Sequence, residues 1–118
     1  VIAHMAGALR AGFADGCILF LEEVNEAPYR IDRSLTQLKR AGFLQGIAGL
    51  VLGEFTGCDP GPDGTTAQAV VMDHLFDLGI PVASGYPAAH GDRNRPFVHG
   101  GVAELGCTKG SAILKFLL

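Results

Sequence analysis

Several kinds of chemistry are excluded by what this 118-residue chain lacks. It has no basic excess: nine Lys and Arg against twelve Asp and Glu give a formal net charge of −3, so the basic footprint of a nucleic-acid partner is missing. No apolar run approaches the roughly 20 residues of a membrane-spanning helix, so no membrane partner is expected. Cysteine is scarce. Cys17, Cys58 and Cys107 offer neither the even count of a disulfide framework nor the close pairs of a zinc site. Cys17 and Cys107 sit in apolar, strand-like surroundings and are expected to be buried thiols, with Cys58, in a loop, the more accessible one. Neither a phosphate loop nor a dinucleotide fingerprint is present, so no cofactor and no metal is expected. Ser34, Ser84 and Ser111 are the only serines. None stands in the Gly-x-Ser-x-Gly turn that exposes a nucleophile beside oxyanion-hole amides. The first residues lack the basic region of a signal peptide and an initiating Met, and the chain reads as cut from something longer.

What is present is a globular composition, 48% apolar and 18% charged, enough for one domain over residues 1–118 with a modest core. Its organising stretch is Ile18, Leu19, Phe20 and Leu21 followed at once by Glu22 and Glu23. Four large apolar residues between Gly16 and Pro28 predict a buried strand. Carboxylates at its end need a partner, because burying an unpaired charge is costly. Active sites of open α/β sheets also gather at the carboxyl ends of strands. In a regular strand Glu22 and Glu23 point to opposite faces, so one of them aims at a given site, and Glu26 is a weaker competitor. The plain alternative is that Glu22 caps a helix or pairs with an arginine such as Arg33.

The rest of the chain follows α/β grammar. Ile2, Met5, Ala6 and Leu9 predict a helix within residues 1–9, weakened by Gly7 and Gly12. A strand at 17–23 follows. A helix then runs from Pro28 toward Gly42, with Ile31, Leu35, Leu38 and Phe43 inward. Residues 47–52 predict a second strand, parallel to the first. After a loop at 55–65, Thr65 or Thr66 caps a helix to about Leu78, with Val70, Val71, Leu75 and Leu78 inward. A short strand at 80–83, an irregular segment at 85–94 and a strand-like Phe97-Val98 come next. Strands at 102–107 and 112–117 then form a hairpin about Thr108-Lys109-Gly110-Ser111.

Of the four histidines, His4 and His74 fall on helices and His99 precedes a glycine pair, all read as structural. His90 differs. It lies in a glycine-containing loop after a short strand, where a rigid scaffold can present a catalytic group. A glutamate that holds a histidine in its working tautomer is the acid of a Ser-His-acid triad. Glu22 and His90 are the candidates for that pair.

The runs CILFLEEVNEAPYRIDR at 17–33, LTQL at 35–38, IAGLVLGEF at 47–55, Cys58, LGIPV at 78–82 and HGDRN at 90–94 together closely resemble the C-terminal domain of the L,D-carboxypeptidases. These are also called muramoyltetrapeptide carboxypeptidases and share a family with the microcin-immunity peptidases. The resemblance implies an α/β, swivelling β/β/α-type domain with a mixed sheet, two main helices and a C-terminal β-hairpin. It also implies a cytoplasmic serine peptidase that releases terminal D-alanine from murein peptides by hydrolysing an L–D bond. Its triad is Ser-His-Glu, with Glu22 after the Phe-Leu pair and His90 opening the His-Gly-x-x-Asn motif. The serine and its oxyanion hole belong to an N-terminal flavodoxin-like domain outside these residues, and a homodimer is compatible. The rival within the family is the immunity branch, which cleaves acyl-aminoacyl adenylates; the short loop at 56–65 favours the murein branch. The rival from another class is a non-catalytic interaction module of the same fold. One departure is Val98-His99-Gly100, where the family usually has Pro-Leu-Gly.

Overall fold

The apolar run forms strand β1 (Ile18–Val24) in the computed structural model, which describes residues 2–88 and 92–118. It pairs in parallel with β2 (Gly49–Thr56), which pairs in parallel with β3 (Val82–Ala83). Parallel neighbours need a crossover, and a helix fills each one: α2 (Pro28–Arg40) between β1 and β2, α3 (Ala67–Leu75) between β2 and β3. A short helix α1 (Ile2–Met5) precedes this unit, and the hairpin of β4 (Val102–Thr108) and β5 (Ser111–Leu117) follows it. The α/β class holds, with the parallel and antiparallel pairing carried by two sheets.

Local chemistry sets the helix limits. Pro28 occupies the first turn of α2, where its missing N–H costs nothing. Glu26, just ahead, accepts from the Ala27 N–H at 3.2 Å and pairs with Arg30 at 3.3 Å. Gly42 ends the element with φ +73°, a left-handed conformation that suits glycine. Thr66 caps α3 by accepting from the Ala69 N–H at 3.1 Å. Ahead of that cap, Asp63 accepts from the Thr65 N–H and hydroxyl, and these bonds hold its carboxyl below the usual range. Because the folded-state value is the lower one, that contribution is complete above the ordinary carboxylate range and fades as pH falls.

The core joins one face of the sheet to the two helices. Ile31, Leu35 and Leu38 of α2 and Val70, Val71 and Leu75 of α3 are buried with Leu50 and Leu52 of β2. Leu19 and Leu21 of β1 pack against this cluster. His74 on α3 reaches Asp32 on α2 at 2.6 Å, so this histidine ties the two helices together. The other face of β2 carries Gly49, Val51 and Gly53. There Leu105 of the hairpin packs over Gly49, where an added Cβ would lie 3.1 Å from its side chain. Covered on both faces, β2 is buried from Gly49 to Gly53, as its unbroken apolar run requires.

Some expectations are corrected. Cys17 and Cys107 are exposed, whereas Cys58 is half-buried and directs its thiol toward the Thr56 carbonyl. Cys17 lies just before β1 begins, and Cys107 sits opposite Ala112 near the hairpin tip; apolar neighbours in sequence do not bury a strand's ends. The first helix stops at Met5, before Gly7, where glycine disfavours continuation. The helix expected to reach Leu78 ends at Leu75. Phe97 and Val98 are not in a strand. Among the described residues, no helix is long and apolar enough to cross a membrane.

Candidate active-site cleft

Side-chain alternation along β1 places the first functional group. Leu19 and Leu21 serve the helix-side core, so Phe20 and Glu22 share the opposite face. The ladder breaks beside Glu22. Leu21 pairs with Leu52 and Glu23 with Phe55, leaving Gly53 and Glu54 of β2 opposite the single residue Glu22. Such a bulge bends the strand and re-aims its side chains. The extra residue lies in β2, so the bend falls on β2 beside Glu22. Glu22 and Glu23 both border one cleft of about 700 Å³, as do their neighbours Phe20, Leu21 and Val24. Glu22 is half-buried and is not without a partner. Glu23 accepts from the Val24 N–H at 3.1 Å.

The far wall of the cleft is built by the segment after β3. Its first leg lies against the end of β2: the Tyr86 N–H donates to the Leu52 carbonyl at 3.1 Å, and the Glu54 N–H to the Ala88 carbonyl at 3.4 Å. Its second leg is pinned to the first. The Arg95 N–H donates to the Pro87 carbonyl at 2.6 Å, and the Tyr86 hydroxyl to the Pro96 carbonyl at 3.2 Å. Phe20, Tyr86 and Phe97 stack beneath this neck, with ring centroids 4.8 to 6.4 Å apart. The two legs thus meet in a closed neck at Pro87 and Arg95. Ala88 and Asn94 both line the cleft. His90, with Ala89 and Gly91, lies outside the described residues.

Gly53 permits this arrangement. A Cβ there would lie 2.8 Å from the Ala88 carbonyl oxygen and 2.6 Å from the edge of the Phe20 ring. Gly53→Ala is therefore expected to push the 86–88 segment off β2 and to destabilise the fold by about 1–3 kcal/mol, read as a lower denaturant midpoint at unchanged slope. An unchanged midpoint would show that the contact is not needed.

The remaining candidates sit elsewhere. Glu26 is used at the start of α2, and Arg33 lies over the Tyr29 ring at 5.7 Å. No serine appears among the described residues that line the cleft. His4 and His99 are exposed at the surface. Among the described residues, no three His, Cys, Asp or Glu side chains come together as metal ligands. Sequence reasoning missed Gly53, the Phe20–Tyr86–Phe97 stack and Arg95. Gly53 carried a usable signal, because a glycine inside an apolar strand often marks a close approach of another backbone. The aromatic stack joins three distant segments and has no local signature.

Residues 1–105 match the family described as the LD-carboxypeptidase C-terminal domain. The chain is 40% identical, over 99% of its length, to a Synechocystis sp. protein provisionally named a carboxypeptidase, and covers 39% of it. A crystal structure of muramoyltetrapeptide carboxypeptidase from Oxalobacter formigenes superposes on 98% of this chain with a TM-score of 0.83 and 34% identity, and the match takes in 41% of that chain. The microcin C7 self immunity protein superposes on 62% of this chain and 22% of its own, with a TM-score of 0.55 and 23% identity, a likeness of fold alone. The chain spans about two fifths of the length of the first two of these relatives.

Proposed function

The chain belongs to the LD-carboxypeptidase C-terminal domain family, and from that premise we propose that it supplies the glutamate and histidine of a Ser-His-Glu triad in a cytoplasmic murein tetrapeptide carboxypeptidase. The observation that carries this reading is the cleft at the end of β1. Glu22 borders it from one wall, and Ala88 and Asn94, which bracket His90 in sequence, border it from the other.

In the proposed reaction a serine from the N-terminal flavodoxin-like domain attacks the carbonyl of the L–D bond. His90 takes the serine proton as general base and then gives it to the leaving amine of D-alanine as general acid. Glu22 holds the imidazole in the required tautomer and stabilises the imidazolium as it forms. Water then hydrolyses the acyl-enzyme with His90 acting as base again. The serine and the oxyanion donors belong to the partner domain, so this segment needs that domain to act, and the released D-alanine and tripeptide return to peptidoglycan recycling.

The test is D-alanine release from murein tetrapeptide by the full-length protein, beside the 118-residue segment alone. Release by the full-length protein and none by the segment is expected. Release by the segment alone would refute the shared triad. No release by the full-length protein would refute the substrate.

A further inference from the structure

Resting on this carboxypeptidase reading, we propose that Arg95 is a specificity residue that binds the free α-carboxylate at the C-terminus of the substrate. A carboxypeptidase must tell a terminal carboxylate from an internal amide. The β1 wall of the cleft opposes an anion, because it carries Glu22 and Glu23. Arg95 is the one cation among the described residues that line the cleft, and it stands on the other wall. It forms no ion pair with any described residue.

Its backbone is fixed while its side chain is available. The Arg95 N–H is bonded to the Pro87 carbonyl at 2.6 Å, and the following Pro96 is held through its carbonyl by the Tyr86 hydroxyl. An exposed guanidinium on a pinned stem loses less freedom on binding than one on a loose loop. The planar fork of arginine matches a carboxylate through two parallel N–H···O bonds. Beside it, Pro96, Phe97 and Phe20 give the cleft an apolar wall. A carboxylate next to a small apolar side chain, as at a terminal alanine, fits this pairing of cation and apolar surface. The two glutamates opposite would disfavour a ligand that placed its carboxylate against β1.

The experiment compares the binding of murein tetrapeptide and of its C-terminal amide to the full-length His90→Ala protein by calorimetry, without turnover. The tetrapeptide is expected to bind about 10-fold to 100-fold more tightly than the amide. Arg95→Gln should bring that ratio close to one by weakening the tetrapeptide alone, with amide binding unchanged as the control for folding. Arg95→Lys, which keeps the charge and loses the fork, should retain part of the preference. A ratio that survives Arg95→Gln, or no preference for the acid when Arg95 is present, would overturn the assignment; should Arg95→Gln fail to fold, an undiminished preference in Arg95→Lys would do the same. The carboxypeptidase reading is judged separately, by D-alanine release from the protein with His90 intact. A carboxylate preference that depends on Arg95 without such release would sink that reading and leave the binding role standing.

Discussion

Replacing His90 with alanine in the full-length protein is expected to lower kcat for D-alanine release by roughly 10⁴-fold or more, with KM changed little. The size follows from the role. A serine hydroxyl is a weak nucleophile at its own pKa and needs a base at hydrogen-bond distance to take its proton. Without that base, catalysis falls to what binding and the oxyanion hole supply. Unchanged KM separates this role from one in substrate binding, since a lost binding contact raises KM while leaving kcat in place. Full-length protein that keeps near-native kcat after His90→Ala would remove His90 from the chemistry.

Glu22→Gln should be the next largest loss, on the order of 10³- to 10⁴-fold in kcat. The substitution keeps the size of the side chain and removes its charge. A neutral amide can hold the imidazole in the wrong tautomer and cannot stabilise the imidazolium. Glu23→Gln is the matched control, because Glu23 borders the same cleft while its carboxylate accepts from the Val24 N–H. A Glu23→Gln loss as large as that of Glu22→Gln would move the acid's role from one residue to the other.

Much of the frame was readable from the residues. The run Ile18, Leu19, Phe20, Leu21 predicted β1, and a strand, a helix and a second apolar run predicted the parallel crossover that α2 and β2 form. The stripe Ile31, Leu35, Leu38 was legible because helical spacing repeats locally, and all three residues are buried. Errors arose where tertiary contacts decide. Cys17 and Cys107 looked buried by their neighbours, yet burial depends on what packs over a strand and not on what precedes it in sequence. The strand at 47–52 was expected to stop short of Phe55, but β2 runs on to Thr56 through the bulge opposite Glu22. That bulge lies in β2, directly beside Glu22. No periodicity announces it; Gly53 is its only local mark. The neck that closes between Pro87 and Arg95 depends on hydrogen bonds and ring contacts among segments far apart in sequence, which spacing rules do not reach.

The two walls of the cleft are built differently. Glu22 stands at the end of a strand whose neighbouring strand is buried on both faces. On the other wall, the segments at 86–88 and 94–97 are pinned together over an aromatic stack. Gly53 lets the Ala88 carbonyl and the Phe20 ring approach β2 closely.

The central claim is that Glu22 and His90 work as one unit, and the most direct measurement is a double-mutant cycle on kcat/KM for D-alanine release from murein tetrapeptide. The full-length protein would be compared with Glu22→Gln, His90→Ala and the double variant. Groups that act through one another are not additive, so the double variant is predicted to be no slower than His90→Ala alone. Losses that multiply across the cycle, or a single variant that matches the unsubstituted protein, would contradict the pairing.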